Sequence, residues 1–560
     1  MSEKLEQDKV SNNVVYNDDE YHHDELAGPE PTEEDWKSLR EVADKIPASA
    51  YLVIVIEFCE RFTYYGLSGP FQNYIQYPAP ESYPADQAGA MGRGQQTATA
   101  LTTFFQFWCY ITPIIGAVVA DQYLGKYRTI VLFSCFYIVG LVILTATASP
   151  AAIANGAAFP GFIVAIIIIG LGTGGIKSNV SPLVAEQYQS KSPYITTTAK
   201  GERVIVTPQA TYQKIFNLFY WGINVGSLSA IATTELEKNV GFWPAYLLPT
   251  LMFAIGIVVI LLGHKRYVQT PPRGSVFVEA FKLFTLSWKV KGGMEACKPS
   301  NLAADHPELA VKATWDDVFV DELKRALRAC IVFCWYPIYW LCYSQMTNNL
   351  VSQASTMWTG NVPNDIMQNI DPLVLIITIP LMDRIVYPGL RRVGIPMRPI
   401  FRISLGFLFA SVAMAYTAGI QQRIYDNTSE YPISAGYQIP SYVFIAFSEI
   451  FASITGLEYA YKKAPQSMKS IVMALFLFTN CIASILGFAL VSVAVDPKLT
   501  WMYTGISAAS FICAILVYAF HHKNDKNDVE DDAIGRTGKQ AEDYNKNQAT
   551  VEFEAEKSVV

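Results

Sequence analysis

Apolar runs of about twenty residues return along nearly the whole chain, and no other feature limits the fold as strongly. Each is long enough to cross a bilayer core of about 30 Å as a helix. Inside hydrocarbon every backbone N–H and C=O must be satisfied within the spanning structure, and an α-helix does this alone. Twelve such segments are expected, at about 51–76, 99–120, 128–148, 161–183, 213–233, 243–263, 326–347, 370–388, 398–420, 440–460, 468–493 and 500–520. The chain therefore reads as an all-α polytopic membrane protein. Only 16% of its residues are charged and 51% are hydrophobic, whereas a soluble domain carries about 25% charge.

The loops orient the segments. With the N-terminus inside, the inner loops hold Lys126, Arg128, Lys191, Lys200, Arg203, Lys265, Arg266, Arg273, Arg384, Arg391, Arg392, Arg398, Lys462, Lys463 and Lys469. The outer loops hold Arg93, Lys238, Arg423 and Lys498. Basic residues favour the cytosolic side, so both termini are expected in the cytosol. The longest hydrophilic connection divides the segments six and six. The expected organisation is a disordered acidic tail over 1–45, a first bundle over 46–265 and a linker over 266–324. A second bundle follows over 325–520, then a tail over 521–560. Within the linker, residues 275–288 are apolar enough to lie on the membrane surface. The formal net charge of −7 resides largely in the two tails, and no basic stretch points to nucleic acid. No cleaved signal peptide is expected, because the N-terminus lacks a basic region followed by an apolar one. The nine cysteines show no CxxC pairing, so neither disulfides nor a metal site are expected.

Against this background a few residues break the pattern. Glu57, Glu60 and Arg61 lie inside the first segment at helical spacings of three and four, so their side chains share a face. A charge near the bilayer centre costs a few kcal/mol, which makes such a cluster a functional candidate, with a structural ion pair as the alternative. Two acids and one base leave a spare carboxyl that invites proton exchange. No histidine falls at membrane depth, so a proton relay would run on carboxylates. Segment 4 ends in glycines followed by Lys177, a buried cation or one that snorkels to the interface. Asn224 in segment 5 is either a cavity residue or an ordinary interhelical hydrogen bonder. Asp371 opens segment 8, where exposure at the interface is the simple reading. Glu449 sits deep in segment 10 with apolar residues on both sides. Together these residues describe a polar cavity able to hold a zwitterion. Tyr64, Tyr65, Tyr110, Trp340 and Phe476 are expected in its walls.

Four stretches then resemble one family. ExxER stands as Glu57, Glu60 and Arg61 and is followed by FTYYGL; segment 2 ends in GAVVADQYLGKYRTI. Segment 5 reads FYWGINVGSL, and segment 10 reads SEIFASITGLEYAYKKAPQSMKS. These are similar to the proton-dependent oligopeptide transporter family of the major facilitator superfamily, its fungal branch in particular, over about 50–265 and 325–520. The resemblance implies a major facilitator fold of two six-helix bundles in the plasma membrane, a monomer without cofactor. It implies a symporter that imports di- and tripeptides with protons by alternating access. Glu57, Glu60 and Arg61, with Lys177, would couple protons; Arg61 and Lys177 would face the peptide carboxylate. Glu449 would take the amino terminus with Asn224, and a Lys177–Glu449 bridge would close the inner gate. Tyr64, Tyr65, Tyr110, Trp340 and Asn480 would line the pocket. Ser68 and Ser344 replace an arginine and an acid common in bacterial members, so the outer gate must be built differently.

Two other readings compete. A nitrate or other small-anion carrier would gain nothing from the carboxylate of Glu449. A non-transporting receptor would be expected to carry a folded extramembrane domain, and neither tail reads as one. For an enzyme, no Ser/His pair or metal cluster falls at membrane depth.

Overall fold

The computed structural model describes residues 28–190, 192–198, 201–272, 276–290, 292–310, 313–386, 389–390, 398–429, 431–463 and 468–522. Twelve long helical segments follow one another. The first six are α1 (Ala48–Ser68), α2 (Gly94–Val119), α3 (Lys126–Thr147), α4 (Ala158–Lys177), α5 (Pro208–Ser227, extended by Ser229–Asn239) and α6 (Phe242–Leu262). Then come α7 (Asp317–Cys330, continuing through Tyr336–Ser344), α8 (Ile370–Leu381), α9 (Pro399–Tyr425), α10 (Ile439–Ser448, resumed at Thr455–Lys463), α11 (Lys469–Leu490) and α12 (Leu499–His521). Ten of these are long and apolar enough to cross a membrane. The other two have evident reasons to fall short: α1 carries Glu57, Glu60 and Arg61, and α8 is brief and contains Pro380.

Each half has its own hydrophobic core. One gathers residues from Ala50 to Tyr267, the other residues from Ala280 to Val517. The halves end their second helices alike. A π-helical turn, Ala120–Leu124, follows α2, and another, Met382–Val386, follows α8. Asp121 lies in the first turn and Asp383 in the second, a correspondence that related bundles would share. The side chains of Asp383 and Arg384, and all of Arg391 and Arg392, lie outside the described residues.

Helix packing in the first bundle rests on glycine. A Cβ on Gly174 would stand 2.2 Å from Thr112, and one on Gly175 would enter the Phe133 ring at 2.0 Å. The α4 backbone thus lies directly against α2 and α3, the close approach that small residues allow between membrane helices. Asn179 is buried and donates to the Gly116 and Gly175 carbonyls at 3.2 and 2.8 Å, which ties α4 to α2.

The N-terminal tail differs from expectation. Residues 1–27 lie outside the description, but Glu33–Ser38 is helical and Arg40–Val42 is a strand, β1. β1 pairs in parallel with β3 (Arg203–Val206), which pairs antiparallel with β2 (Tyr194–Thr197). The insert between α4 and α5 is therefore a small sheet completed by the tail, and Val204, Ile205 and Val206 are buried beneath it. Strand residues at 40–42 alternate too briefly to signal themselves in an acidic tail; the pairing partner lies about 160 residues away. In the linker, Val276–Ser287 is helical. It sets Ala280 and Leu283 into the second core and leaves Phe281 and Trp288 68% and 81% exposed. The helix leading into α7 starts at Asp317, inside the stretch read as linker, because Asp316 caps it through the Phe319 amide.

Candidate functional site

The charge cluster of α1 is buried between α5 and α6. Gly226 lets α5 pass so close that a Cβ there would stand 3.0 Å from the Arg61 Cβ; Gly256 does the same against Cys59. Ser229 donates to the Phe62 carbonyl at 2.7 Å, and Thr63 to the Pro249 carbonyl at 3.1 Å. Held this way, Arg61 pairs with both acids: its Nε is 3.3 Å from Glu57 Oε1, and its guanidinium grips the Glu60 carboxylate. All three residues are at most 6% exposed, and Glu60 Oε1 has no hydrogen-bond partner among the described residues. One guanidinium serving two carboxylates in a dry site leaves one negative charge unmatched within the triad, which the nearby Lys177 or a proton can cancel.

Between the bundles lies a cavity of about 280 Å³, near the lower end of small-ligand pockets. Tyr64, Tyr65, Tyr110, Asn224 and Glu449 all line it, as do Ser68 and Ser344. Arg61 and Lys177 stand directly behind its aromatic wall. The Arg61 guanidinium lies 5.2 Å from the Tyr64 ring centre, and Lys177 Nζ lies 4.0 Å from that of Tyr110. Lys177 thus turns inward and does not snorkel. Asn224, in the cavity lining, donates its amide to the Tyr220 carbonyl at 2.9 Å.

Other expectations are not met. Trp340 donates to Thr479 at 2.9 Å and packs on Phe476, so both belong to the second core and not to the cavity wall. The Asn480 side chain is buried, has no hydrogen-bond partner among the described residues and also lies off the cavity. The Lys177–Glu449 bridge is not formed; Lys177 sits on Tyr110 instead.

One residue read as an interface acid proves central. Asp371 is 3% exposed, lines the cavity and faces Glu449, which also faces the Tyr343 hydroxyl. Glu449 opens a π-helical turn, Glu449–Ile454, that interrupts α10. Such turns re-aim side chains and gather at functional sites. Among the described residues, Glu449 Oε2 and Asp371 Oδ1 have no hydrogen-bond partner, so the pair offers two unfilled acceptors to a cation. The packing of α8 against α10 makes Asp371 an inner residue, and no periodicity in the sequence reports that.

The cavity therefore has the cations Arg61 and Lys177 behind one wall and the acids Glu449 and Asp371 at the other, with aromatic and amide walls between. A ligand carrying both charges fits this polarity. The known proteins most similar to this chain agree in kind. The model of the POT family matches residues 127–512. The chain is 48% identical to the probable peptide transporter ptr2 of Schizosaccharomyces pombe, covering 99% of this chain and 88% of that protein. It is 47% identical to the peptide transporter PTR2 of Saccharomyces cerevisiae, covering 90% and 83%. Among solved structures, the POT family transporter PepTSo superimposes with a TM-score of 0.68 at 22% identity, over 86% of this chain and 99% of that one. An auto-inhibited POT family peptide transporter gives 0.68 at 23%, over 85% and 97%.

Proposed function

The chain belongs to the POT family, a family of peptide transporters and not of enzymes, and from that premise we propose that it imports di- and tripeptides together with protons. The observation that carries this reading is the polarity of the cavity: Arg61 and Lys177 behind one wall, Glu449 with Asp371 at the other. A peptide backbone with free termini complements both ends, while its side chains meet tyrosines, serines and amides that demand no particular chemistry. A small anion would leave the acidic pair unsatisfied.

Glu57 and Glu60 take up the proton, and Arg61 links that event to the peptide carboxylate. When one carboxyl is protonated, the guanidinium is released from part of its pairing and turns to the substrate. Lys177 moves between Tyr110 and Glu449 as the inner side opens and closes. Both termini face the cytosol of a cell whose plasma membrane holds the protein, and a single chain suffices.

Labelled dipeptide uptake into proteoliposomes under an imposed pH gradient tests the proposal. Accumulation that follows the gradient and collapses with a protonophore is expected; uptake indifferent to the gradient overturns symport.

A further inference from the structure

On the face opposite the termini, two acids meet across the seam between the bundles. Glu237 ends the Ser229–Asn239 extension of α5, and Asp365 lies in the short turn Asn364–Asn369 before α8. Both are completely buried and their carboxyls face each other at hydrogen-bonding range. Glu237 Oε1 accepts from Asn73 Nδ2 at 2.9 Å, while Glu237 Oε2 and both Asp365 oxygens have no partner among the described residues. Asn73 also exchanges two hydrogen bonds with Asn364, at 2.8 and 3.0 Å, which pins the second bundle's turn opposite the first.

Two ionised carboxylates cannot remain so placed. Side by side and sealed from water, their repulsion and desolvation would part the bundles. With one proton between them the same geometry is a short O–H···O⁻ hydrogen bond, among the strongest available to side chains. We propose that Glu237 and Asp365 form a second proton-binding site, a latch that holds this face shut while the pair shares a proton.

The proton comes from water on that face as the bundles close. One carboxylate oxygen takes it and the O–H points at the partner carboxylate. It returns to the same side as the bundles part, so the latch moves no charge across the membrane and is separate from the α1 cluster. The surroundings agree. Lys238 is the nearby cation and favours the ionised form, whereas Glu235 opposes it. Tyr83, Tyr246 and Tyr442 face the pair from the neighbouring loop, α6 and α10, and the hydroxyls of Tyr246 and Tyr442 have no partner. Burial, opposed by hydrogen bonds from Glu237 and the backbone, lifts the Asp365 carboxyl above the usual carboxylate range. A pair whose proton affinity is raised in the closed state stabilises that state at low pH, and the effect is lost as rising pH removes the shared proton. The proposal rests on the alternating-access reading and supplies the gate that the serines at 68 and 344 leave unmade.

Distance measurements across the seam test it. The full chain, in lipid nanodiscs, carries labels at Asn239→Cys and Asn361→Cys, both exposed, with the exposed Cys135 and Cys334 replaced by serine. The expected result is an open population that grows several-fold as pH rises from 5 to 8.5. In Glu237→Gln and in Asp365→Asn the response is blunted, and in the double variant it is flat, because an amide bridges without a proton. An unchanged pH response in the double variant overturns the latch, as does a flat parent. A response to sodium at fixed pH also overturns it in favour of a metal cation. Dipeptide accumulation is measured on the same variants. Its absence from the parent would refute the transport reading while the distance assay still judged the latch.

Discussion

At the scale of single residues, the two carboxyls of α1 share one guanidinium, and each has a different neighbour beyond it. Glu57→Gln or Glu60→Gln removes the charge and keeps the shape. Gradient-driven accumulation is expected to fall to the level of simple equilibration while counterflow exchange survives; full accumulation by both variants refutes the coupling role. At the opposite wall, Glu449→Gln removes a charge-assisted contact worth about 2 kcal/mol, which raises the KM for free dipeptides about thirtyfold. N-acetylated dipeptides, having no amine charge, should compete poorly with the parent and lose little further in the variant. Equal competition by acetylated and free dipeptides in the parent would end the amine assignment. The spacing in ExxER and the depth of Glu449 made these residues legible, since charge inside an apolar run has few innocent explanations. Asp371 was not legible, because its position near a segment end fits both an exposed and a buried acid. Trp340 and Phe476 misled for a related reason: aromatic residues at helical spacing suit a cavity wall and a packed core equally, and here they fill the core.

At the scale of elements, α4 and the small sheet show two ways of holding helices in place. The α4 glycines allow backbone contact that no larger residue can replace. Gly175→Leu would drive a side chain into Phe133 and separate α3 from α4. The expected outcome is little mature protein at the membrane and a lowered melting temperature in detergent, and normal yield and melting would count against tight packing at this crossing. The sheet of β1, β2 and β3 ties the tail to the α4–α5 connection through buried Ile205. Ile205→Ala should cost about 2–4 kcal/mol locally. It should expose the 190–207 connection to limited proteolysis while transport persists, because the sheet lies apart from the cavity. Resistance to protease equal to the parent's would show that the sheet does not order this connection. Glycine runs announce the first device in the sequence. The second depends on a three-residue strand whose partner is distant, and a local pattern carries no record of distance.

At the scale of the whole molecule, the two cores are independent and the hydrogen bonds between bundles gather on the face opposite the termini. Besides the Asn73–Asn364 exchange, Gln76 reaches Ser352 at 2.9 Å, Tyr77 meets Ser355, and Gln95 and Thr99 both reach Asn349 at 3.1 Å. With no bridge between Lys177 and Glu449, the arrangement is one in which one end is tied while the other can part. A short bifunctional thiol reagent across Gln76→Cys and Ser352→Cys should therefore stop uptake, with a cleavable reagent restoring it on reduction. Undiminished uptake by the crosslinked protein would refute alternation at this seam. By itself the sequence determined that the chain is helical and membrane-spanning, where its spans lie, and which of its rare charges are candidates for the working part. These follow from the cost of unsatisfied backbone and bare charge in hydrocarbon, which acts on every segment locally. Only the tertiary structure decided which polar residues face one another. Asp371 joins Glu449, Glu237 meets Asp365, and the tail completes a sheet, because helix tilt and packing bring distant residues together and no local periodicity encodes them.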